Sequence, residues 1–171
     1  MNITNYGSLF RILLGSDIER AVEAKYLLIS PFQKKGIQPT SYDISIGGIL
    51  NYPEEIVNAA DLLNGDRVGF SSVELEPSQS ILFITEETFE FPKDMFAEIF
   101  LRSRFARKLN TSGNLGRIEC GWKGRLVLEL NNQSLGRTVK FEKGESIATL
   151  VIYQIESAND NIYSGLFQNW V

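Results

Sequence analysis

Apolar and polar residues alternate in short runs along most of the chain, which is the pattern of half-buried β-strands. The clearest run is 125–131, in which Leu126, Leu128 and Leu130 share one face. Turn signals that contain proline separate neighbouring runs, as at residues 76–78 and 92–94. Strands are also predicted over residues 41–46 (ended by two glycines), 73–75, 80–85, 89–91, 95–101, 138–141 and 147–155.

One early segment has the periodicity of a helix instead. Ser16 and Glu19 are spaced as in a capping box, in which a hydroxyl precedes a glutamate by three positions. The residues that recur at helical spacing around and after this cap are Ile18, Ala21, Val22 and Tyr26. Many short strands and one short N-terminal helix predict a mainly β fold: a β-sandwich, a jelly roll or a distorted barrel.

No internal repeat, low-complexity stretch or linker divides the 171 residues, so we expect a single domain over 1–171. Residues 1–11 are expected to form an N-terminal extension, and residues 157–171 a C-terminal tail. The apolar run 9–14 contains Arg11 and is far shorter than the roughly 20 residues of a membrane-spanning helix. We therefore expect a cytoplasmic protein that does not bind a membrane.

Composition excludes several kinds of chemistry. The chain has no histidine and a single cysteine, Cys120, so it can build neither a Ser-His-Asp triad nor the His/Cys zinc site of zinc deaminases. A net charge of -4 argues against a protein that binds nucleic acid. Any chemistry must therefore rest on carboxylates, hydroxyls, Arg, Lys, Tyr or a metal held by oxygen atoms.

A basic segment at 102–108 holds four cations in seven residues. A stretch rich in Asn, Ser, Thr and Gly follows at 110–116. Guanidinium groups, hydroxyls and backbone amides together suit an anionic ligand, most of all phosphate. Composition alone favours the alternative, which is a solvated basic turn after a strand.

The strand predicted over 125–131 carries a carboxylate on the face opposite its leucines. If only the leucine face is covered, Glu129 is a solvated surface residue. If a partner subunit covers the other face, burial would raise the pKa of Glu129 and make it a usable proton shuttle near neutral pH. Periodicity does not choose between the two.

A third segment, 37–47, combines a proline with an aspartate in a strand pattern. Pro39 forces an extended entry into the strand that holds Asp43. The favoured interpretation of Asp43 is a structural residue that hydrogen-bonds a neighbouring turn.

These three segments together resemble the dCTP deaminase branch of the dUTPase superfamily. Residues 37–47 are similar to the family's QPASYDLRLG strand, and residues 102–107 to its RSSLAR motif. Residues 118–130 are similar to its IDPGFxGxITLEL motif. Further similarities, in the family's order, lie at 13–18 (an opening helix), 73–77 (a strand and turn) and 163–168 (a tail that closes over the nucleotide).

The resemblance implies a distorted β-barrel or jelly roll of the dUTPase-like type that assembles as a homotrimer with active sites between subunits. It implies zinc-independent hydrolysis of dCTP to dUTP and ammonia in pyrimidine deoxynucleotide metabolism, with Mg²⁺ bound through the triphosphate. Further cleavage to dUMP and pyrophosphate belongs to the same expectations, with dTTP as a candidate inhibitor. The tail would lie over the active site.

By position in these motifs, Glu129 would be the proton shuttle that activates water for attack on the cytosine ring. Ser103 and Arg107 would hold the catalytic water and the geometry around Glu129. No metal ligand from the protein is implied. The residues that would bind substrate are Arg102, Arg104, Asn114, Leu115, Ile118, Glu119, Tyr163 and Gln168.

Three departures from the family pattern keep other functions open. Arg104 stands in place of a second serine, Glu119 in place of an aspartate, and the tail lacks the usual Lys-Tyr before Gln168. That aspartate activates water in dUTPases, so its replacement argues most against triphosphate hydrolysis. The alternatives are a dUTPase, which converts dUTP to dUMP and pyrophosphate, and a non-catalytic nucleotide-binding relative.

Overall fold

The computed structural model describes residues 10–51, 65–110, 114–156 and 160–169. The helices in this part are α1 (Gly15–Glu23) and α2 (Ser103–Leu109), with a single 3-10 turn at Lys34–Gly36. The strands are β1 (Phe10–Ile12), β2 (Leu28–Ser30), β3 (Ile37–Gln38), β4 (Ser41–Asn51), β5 (Asp66–Val68), β6 (Ser72–Leu75), β7 (Ser80–Glu90), β8 (Met95–Leu101), β9 (Asn114–Ile118), β10 (Lys123–Asn131), β11 (Val139–Glu142) and β12 (Ser146–Ile155). The mainly β fold predicted from the alternating pattern is confirmed.

One curled antiparallel sheet contains most of the strands, in the order β10-β7-β4-β12-β8-β9. Short strands extend it, since β1 pairs with β12, β2 with β7, and both β3 and β5 with β4. Strands β6 and β11 form a separate two-stranded sheet. The two ends of the main order, β9 and β10, are consecutive in the sequence, joined by residues 119–122. The fold therefore places two sheet edges beside the same turn.

The apolar face of β10 packs into the core, as its alternation predicts. Leu126, Leu128 and Leu130 are 6%, 1% and 2% exposed, whereas Glu129 between them is exposed. Burial of a side chain of this size contributes about 1.5–3 kcal/mol. The strand is thus held by one face and presents the other outside the core.

Helix α2 packs against the core through aromatic contacts. The Phe105 ring stacks on Phe141 with centroids 5.3 Å apart, and Phe141 meets Phe83 edge-on at 5.1 Å. Phe105 and Leu109, four positions apart, are fully buried. The basic segment therefore forms a second helix, where the sequence predicted a single one.

Helix α1 begins earlier than its predicted cap. Leu14, not Ser16, is the N-cap residue, and its N–H donates to a carboxylate oxygen of Asp17 at 3.3 Å. Gly15 lies so close to the neighbouring chain that a Cβ there would be 2.3 Å from the Gln38 carbonyl oxygen. That close approach fixes where the helix starts. Tyr26 lies beyond the helix, and its hydroxyl donates to Asp94 at 2.6 Å.

Two strands are longer than the pattern predicted. Strand β4 continues through Gly47 and Gly48, which were predicted to end it, and β7 unites the strands predicted over 80–85 and 89–91. The register between β4 and β7 shifts between Ile46 and Gly48. A Cβ at Gly47 would lie 2.6 Å from the Glu86 Cα, so glycine lets the two strands stay paired across this irregularity.

Part of the N-terminal extension predicted over 1–11 belongs to the sheet. Residues 10 and 11 lie in β1, where Phe10 is opposite Ile155 of β12. The rest of that extension lies outside the described residues.

Candidate active site

An open cleft lies between β9 and β10. In the main sheet β9 pairs with β8 and β10 pairs with β7, so the two end strands border the cleft instead of pairing with each other. The cleft has a volume of about 280 Å³. A largely apolar concave site with a few polar groups is the usual make-up of a small-molecule site. Its lining residues are Ile99, Leu115, Gly116, Arg117, Trp122, Arg125, Leu126, Val127 and Phe167.

The tail folds back onto the turn that joins β9 and β10. The side-chain amide nitrogen of Gln168 donates to the Gly121 carbonyl oxygen at 2.9 Å, and its amide oxygen accepts from the Lys123 N–H at 3.2 Å. The backbone N–H of Asn169 donates to the Lys123 carbonyl oxygen at 2.8 Å. One glutamine side chain therefore bridges both sides of the turn.

Two other residues of the tail lie against the same turn and the cleft. The Tyr163 N–H donates to the Cys120 carbonyl oxygen at 2.9 Å, and the Tyr163 ring lies 5.0 Å from the Trp122 ring. Phe167 contributes to the lining of the cleft. Two residues predicted to bind substrate, Tyr163 and Gln168, thus lie beside the cleft within a single chain.

The predicted substrate-binding residues of β9 have different surroundings. Leu115 lines the cleft. Ile118 is fully buried opposite Ala97, so its side chain belongs to the core. Asn114 begins the strand, opposite Phe100 of β8.

Glu119 lies at the turn after β9 and is paired with a cation of that strand. The Glu119 carboxylate is 3.1 Å from Arg117 Nε, and both side chains are about half exposed. The position that the resemblance assigns to a water-activating aspartate therefore holds a longer carboxylate with an ion-pair partner.

Glu129 lies on the outward face of β10, together with the cleft residues Arg125 and Val127. It is opposite Leu82 of β7 in the sheet register. Residues two apart along a strand are about 7 Å apart on one face, so Glu129 is the next outward position beyond Val127. Among the described residues its carboxylate has no hydrogen-bond or ion-pair partner.

Ser103 and Arg107 lie on α2, and both are exposed. In the described part of the chain, their side chains form no hydrogen bond or ion pair with each other or with Glu129. The contacts within one chain therefore do not bring the three predicted catalytic residues together.

The two arginines that flank Ser103 are both paired with carboxylates of their own chain. Arg102 Nη1 is 2.9 Å from a carboxylate oxygen of Asp43. Arg104 Nη2 is 2.6 Å from Glu145, and its guanidinium lies over the Phe105 ring at 4.6 Å. Each predicted phosphate ligand is thus held in a defined orientation by an acidic neighbour.

A polar cluster that was not predicted from the sequence lies where β4, β7 and β10 meet. Arg125 Nη1 donates to the carbonyl oxygens of Thr85, at 2.7 Å, and Glu86. Glu87 is 1% exposed and accepts a hydrogen bond from the Ser45 N–H at 3.0 Å. Burial raises the pKa of Glu87 above its usual value. The only sequence signal for this cluster is a pair of glutamates inside a strand.

No group of three or more His, Cys, Asp or Glu side chains is placed to share a metal ion in the ranges that the structure describes. Neither helix of those ranges is long and apolar enough to cross a bilayer.

Solved structures with this architecture define the fold class. The crystal structure of 2'-deoxycytidine 5'-triphosphate deaminase from Agrobacterium tumefaciens matches with a TM-score of 0.68 and 18% identity, covering 85% of this chain and 49% of that one. The chain thus spans about half the length of that relative. A Staphylococcus bacteriophage 80alpha dUTPase matches with a TM-score of 0.50 and 19% identity, covering 82% and 97%. The fold is that of the dUTPase-like proteins.

Sequence comparison narrows this class to a family. The profile of the family described as dCTP deaminase-like matches residues 12–155. The dCTP deaminase of Thermococcus kodakarensis is 32% identical over 144 residues, covering 84% of this chain and 86% of that protein. A dUMP-forming dCTP deaminase of Persephonella marina is 33% identical over 168 residues, covering 92% and 91%. The chain belongs to the dCTP deaminase-like family, which confirms the resemblance seen in its motifs.

Proposed function

We propose that this protein is a dCTP deaminase, which hydrolyses dCTP to dUTP and ammonia. The observation that carries the proposal is the position of Glu129, on the outward face of the strand that borders the cleft. The match to the dCTP deaminase-like family over residues 12–155 supports it. Relatives named dCTP deaminase cover most of the chain at about one-third identity.

In the proposed reaction Glu129 moves protons between water and the cytosine ring. Its carboxylate takes a proton from water as the water oxygen bonds to C4 of the ring. The carboxyl gives that proton to the ring nitrogen beside C4, then takes the proton of the new C4 hydroxyl and passes it to the 4-amino group. The bond from C4 to that nitrogen breaks as the C4 carbonyl forms and ammonia leaves. General acid–base catalysis of this kind contributes typically about 10²–10⁴-fold in rate. Water and dCTP are consumed, and dUTP and ammonia are formed.

The proposed active site is shared between copies of the chain in a homotrimer. Ser103 and Arg107 of one copy would hold the catalytic water against Glu129 of another. Support comes from their exposure and from the lack of any described contact that joins them within one chain. Covering Glu129 with a second copy would remove it from bulk water and place it beside the residues that hold the catalytic water.

An exposed apolar face supports assembly. Phe10, Ile12 and Phe100 on the outer face of β1 and β8 are 54%, 46% and 44% exposed. The rings of Phe96 and Tyr153 stack beside them at 4.8 Å. Exposed apolar side chains on one face of a sheet are typical of interaction sites, and a second copy of the chain is the proposed occupant.

We further propose that Mg²⁺ arrives with the substrate, bound to the triphosphate. Mg²⁺ in such sites keeps several waters and is held largely through substrate phosphates, so few protein ligands are needed. The protein's part is to orient the phosphates with Arg102 and the tail. We also propose a cytoplasmic location, which the nucleotide substrate and the single cysteine support.

A second activity, cleavage of the dUTP product to dUMP and pyrophosphate, has one specific observation in its favour. The Persephonella marina relative, at 33% identity, is named a dUMP-forming dCTP deaminase. In this chain Glu119 would have to activate the attacking water. Its carboxylate lies 3.1 Å from Arg117 Nε, at the turn after β9.

The test is incubation of the purified protein with dCTP and Mg²⁺, followed by chromatography of the nucleotides and an ammonia assay. We expect dUTP with one ammonia per dCTP consumed. Formation of dUMP with pyrophosphate would establish the second activity. Unchanged dCTP would contradict the proposed deaminase. Cleavage of dUTP in a parallel reaction would then indicate a dUTPase, and saturable binding without product a non-catalytic relative.

A further inference from the structure

The strand motif at 37–47 contains a buried aspartate that the proposed reaction does not use. Asp43 is 5% exposed, and the same carboxylate oxygen meets Arg102 Nη1 at 2.9 Å and the Gln38 amide nitrogen at 3.1 Å. The contact with Gln38, beside the turn at the start of β4, fits the structural aspartate predicted from the sequence. The ion pair with Arg102 goes beyond that interpretation.

The sheet register explains how these distant residues meet. Asp43 of β4 is opposite Thr149 of β12, and Thr149 is opposite Phe100 of β8. Arg102, two residues beyond Phe100, lies on the same side of the sheet, and its side chain reaches back across β12 to Asp43. Its backbone N–H donates to the Ile147 carbonyl oxygen at 2.9 Å. Both the main chain and the side chain of Arg102 are therefore fixed.

The guanidinium of Arg102 has N–H groups besides the one that contacts Asp43. Its side chain is 35% exposed, and within the described ranges Asp43 is the one acceptor of its side-chain N–H groups. A guanidinium is a planar fork that can bond a carboxylate along one edge and a phosphate along another. A buried, charged carboxylate behind the arginine fixes the orientation of the free edge.

We propose that Asp43 is a positioning residue for the phosphate chain of the substrate, acting through Arg102. It keeps the guanidinium extended with one edge on the protein and the other toward a phosphate oxygen of the nucleoside triphosphate. The inference rests on the proposed function, because it names how that site binds the anionic part of its substrate.

The test is Asp43→Asn, which keeps an oxygen that accepts from Gln38 and Arg102 but removes the charge. We expect the KM for dCTP to rise about 10-fold, with kcat within about twofold of the wild type. The inhibition constant of inorganic tripolyphosphate should rise by the same factor, and the affinity for deoxycytidine should stay unchanged. A change confined to phosphate-bearing ligands is not what a general loss of packing produces.

Asp94→Asn is the matched control. Asp94 is also a buried aspartate, 9% exposed, and it accepts hydrogen bonds from Tyr26 and Gln154 outside the cleft. The Asp94→Asn substitution should leave both the KM for dCTP and the inhibition constant of tripolyphosphate unchanged. Arg102→Lys is the second variant if Asp43→Asn does not fold: it keeps the positive charge beside Asp43 but loses the fork, and the same selective loss is expected.

If the KM for dCTP is unchanged in both Asp43→Asn and Arg102→Lys, Asp43 does not position Arg102 for the phosphates, and the inference is overturned. The proposed function is unaffected by that result as long as the wild type releases ammonia from dCTP. A fall in kcat, or an equal loss of affinity for deoxycytidine and tripolyphosphate, would show a merely structural role and also overturn it. A wild type that releases no ammonia from dCTP would contradict the proposed function. Tripolyphosphate binding by the variants would still decide the role of Asp43.

Discussion

Glu87 and Glu129 lie on neighbouring paired strands of the same sheet, β7 and β10, in opposite surroundings. Glu87 is 1% exposed, hydrogen-bonded to Ser45, and burial raises its pKa. Glu129 is exposed, on the face that borders the cleft. Within a single chain, therefore, Glu87 is buried between strands, whereas Glu129, the candidate proton shuttle, is exposed to water.

A raised pKa is therefore not by itself a sign of a catalytic carboxyl. Glu87 is enclosed by strands β4, β7 and β10 and has no open path to a ligand among the described residues, whereas Glu129 needs a partner to be enclosed. In this account, assembly gives Glu129 the environment that the fold alone gives Glu87.

The largest expected effect is that of Glu129→Gln. Because the amide cannot take up and return protons, kcat for ammonia release from dCTP should fall by about 10²-fold or more, with dCTP affinity within about threefold of wild type. Single-turnover ammonia release and calorimetric binding measure the two. The control is Glu142→Gln, which changes another exposed carboxylate, one that is ion-paired with Lys140, and should remain fully active. Full activity in Glu129→Gln would contradict the role of Glu129 as the proton shuttle.

A moderate effect is expected from Gln168→Ala. The substitution removes the two side-chain hydrogen bonds of Gln168 to the turn at residues 121–123 and leaves the backbone bond from Asn169 in place. Each such bond is worth about 0.5–1.5 kcal/mol, so the loss of two weakens tail docking by about 1–3 kcal/mol, and we expect the KM for dCTP to rise about 5-fold or more with a small change in kcat. Steady-state kinetics measures it. An unchanged KM would show that the docked tail does not contribute to nucleotide binding.

The smallest effect is expected from Glu87→Gln, and it should appear in stability instead of rate. Burial raises the folded pKa of Glu87 above the ordinary value of 4.5, so the folded carboxyl keeps its proton to higher pH than the unfolded one. The wild type therefore loses stability as the pH rises from that ordinary value through the raised pKa, and glutamine avoids this loss. The Tm of Glu87→Gln relative to wild type should be higher at pH 8 than at pH 5.

Thermal unfolding at a series of pH values, with Glu74→Gln as an exposed control on β6, measures the difference. A Tm difference that stays constant between pH 5 and pH 8 would contradict the assignment of Glu87 as a buried, titrating carboxyl. Deamination by Glu87→Gln should match that of the wild type at saturating dCTP.

The sequence predicted the parts of the fold that depend on local alternation. Leu126, Leu128 and Leu130 are buried as expected, because side chains two apart on a strand share a face. Helix α2 was not predicted, since its three cations obscured the pair of fully buried apolar residues, Phe105 and Leu109, that anchors it. That pair, at a spacing of one helical turn, was the available signal.

The candidate site was less accessible to sequence reasoning. The motifs pointed to Glu129, Ser103 and Arg107, but the pairing of Asp43 with Arg102 depends on a register through β12 that local patterns do not contain. The burial of Glu87 likewise follows from the irregular pairing of β4, β7 and β10. Contacts between distant segments decide both.

The central claim is that Glu129 of one copy works with Arg107 of another. Its most direct test is to co-express Glu129→Gln and Arg107→Ala with different tags, purify the mixed oligomer and measure ammonia release from dCTP. Each variant alone should be nearly inactive. Each purified mixed trimer, whichever variant it holds in two copies, has both intact residues at one of its three shared sites, so we predict about a third of wild-type activity. A mixed oligomer no more active than its parents would contradict the claim.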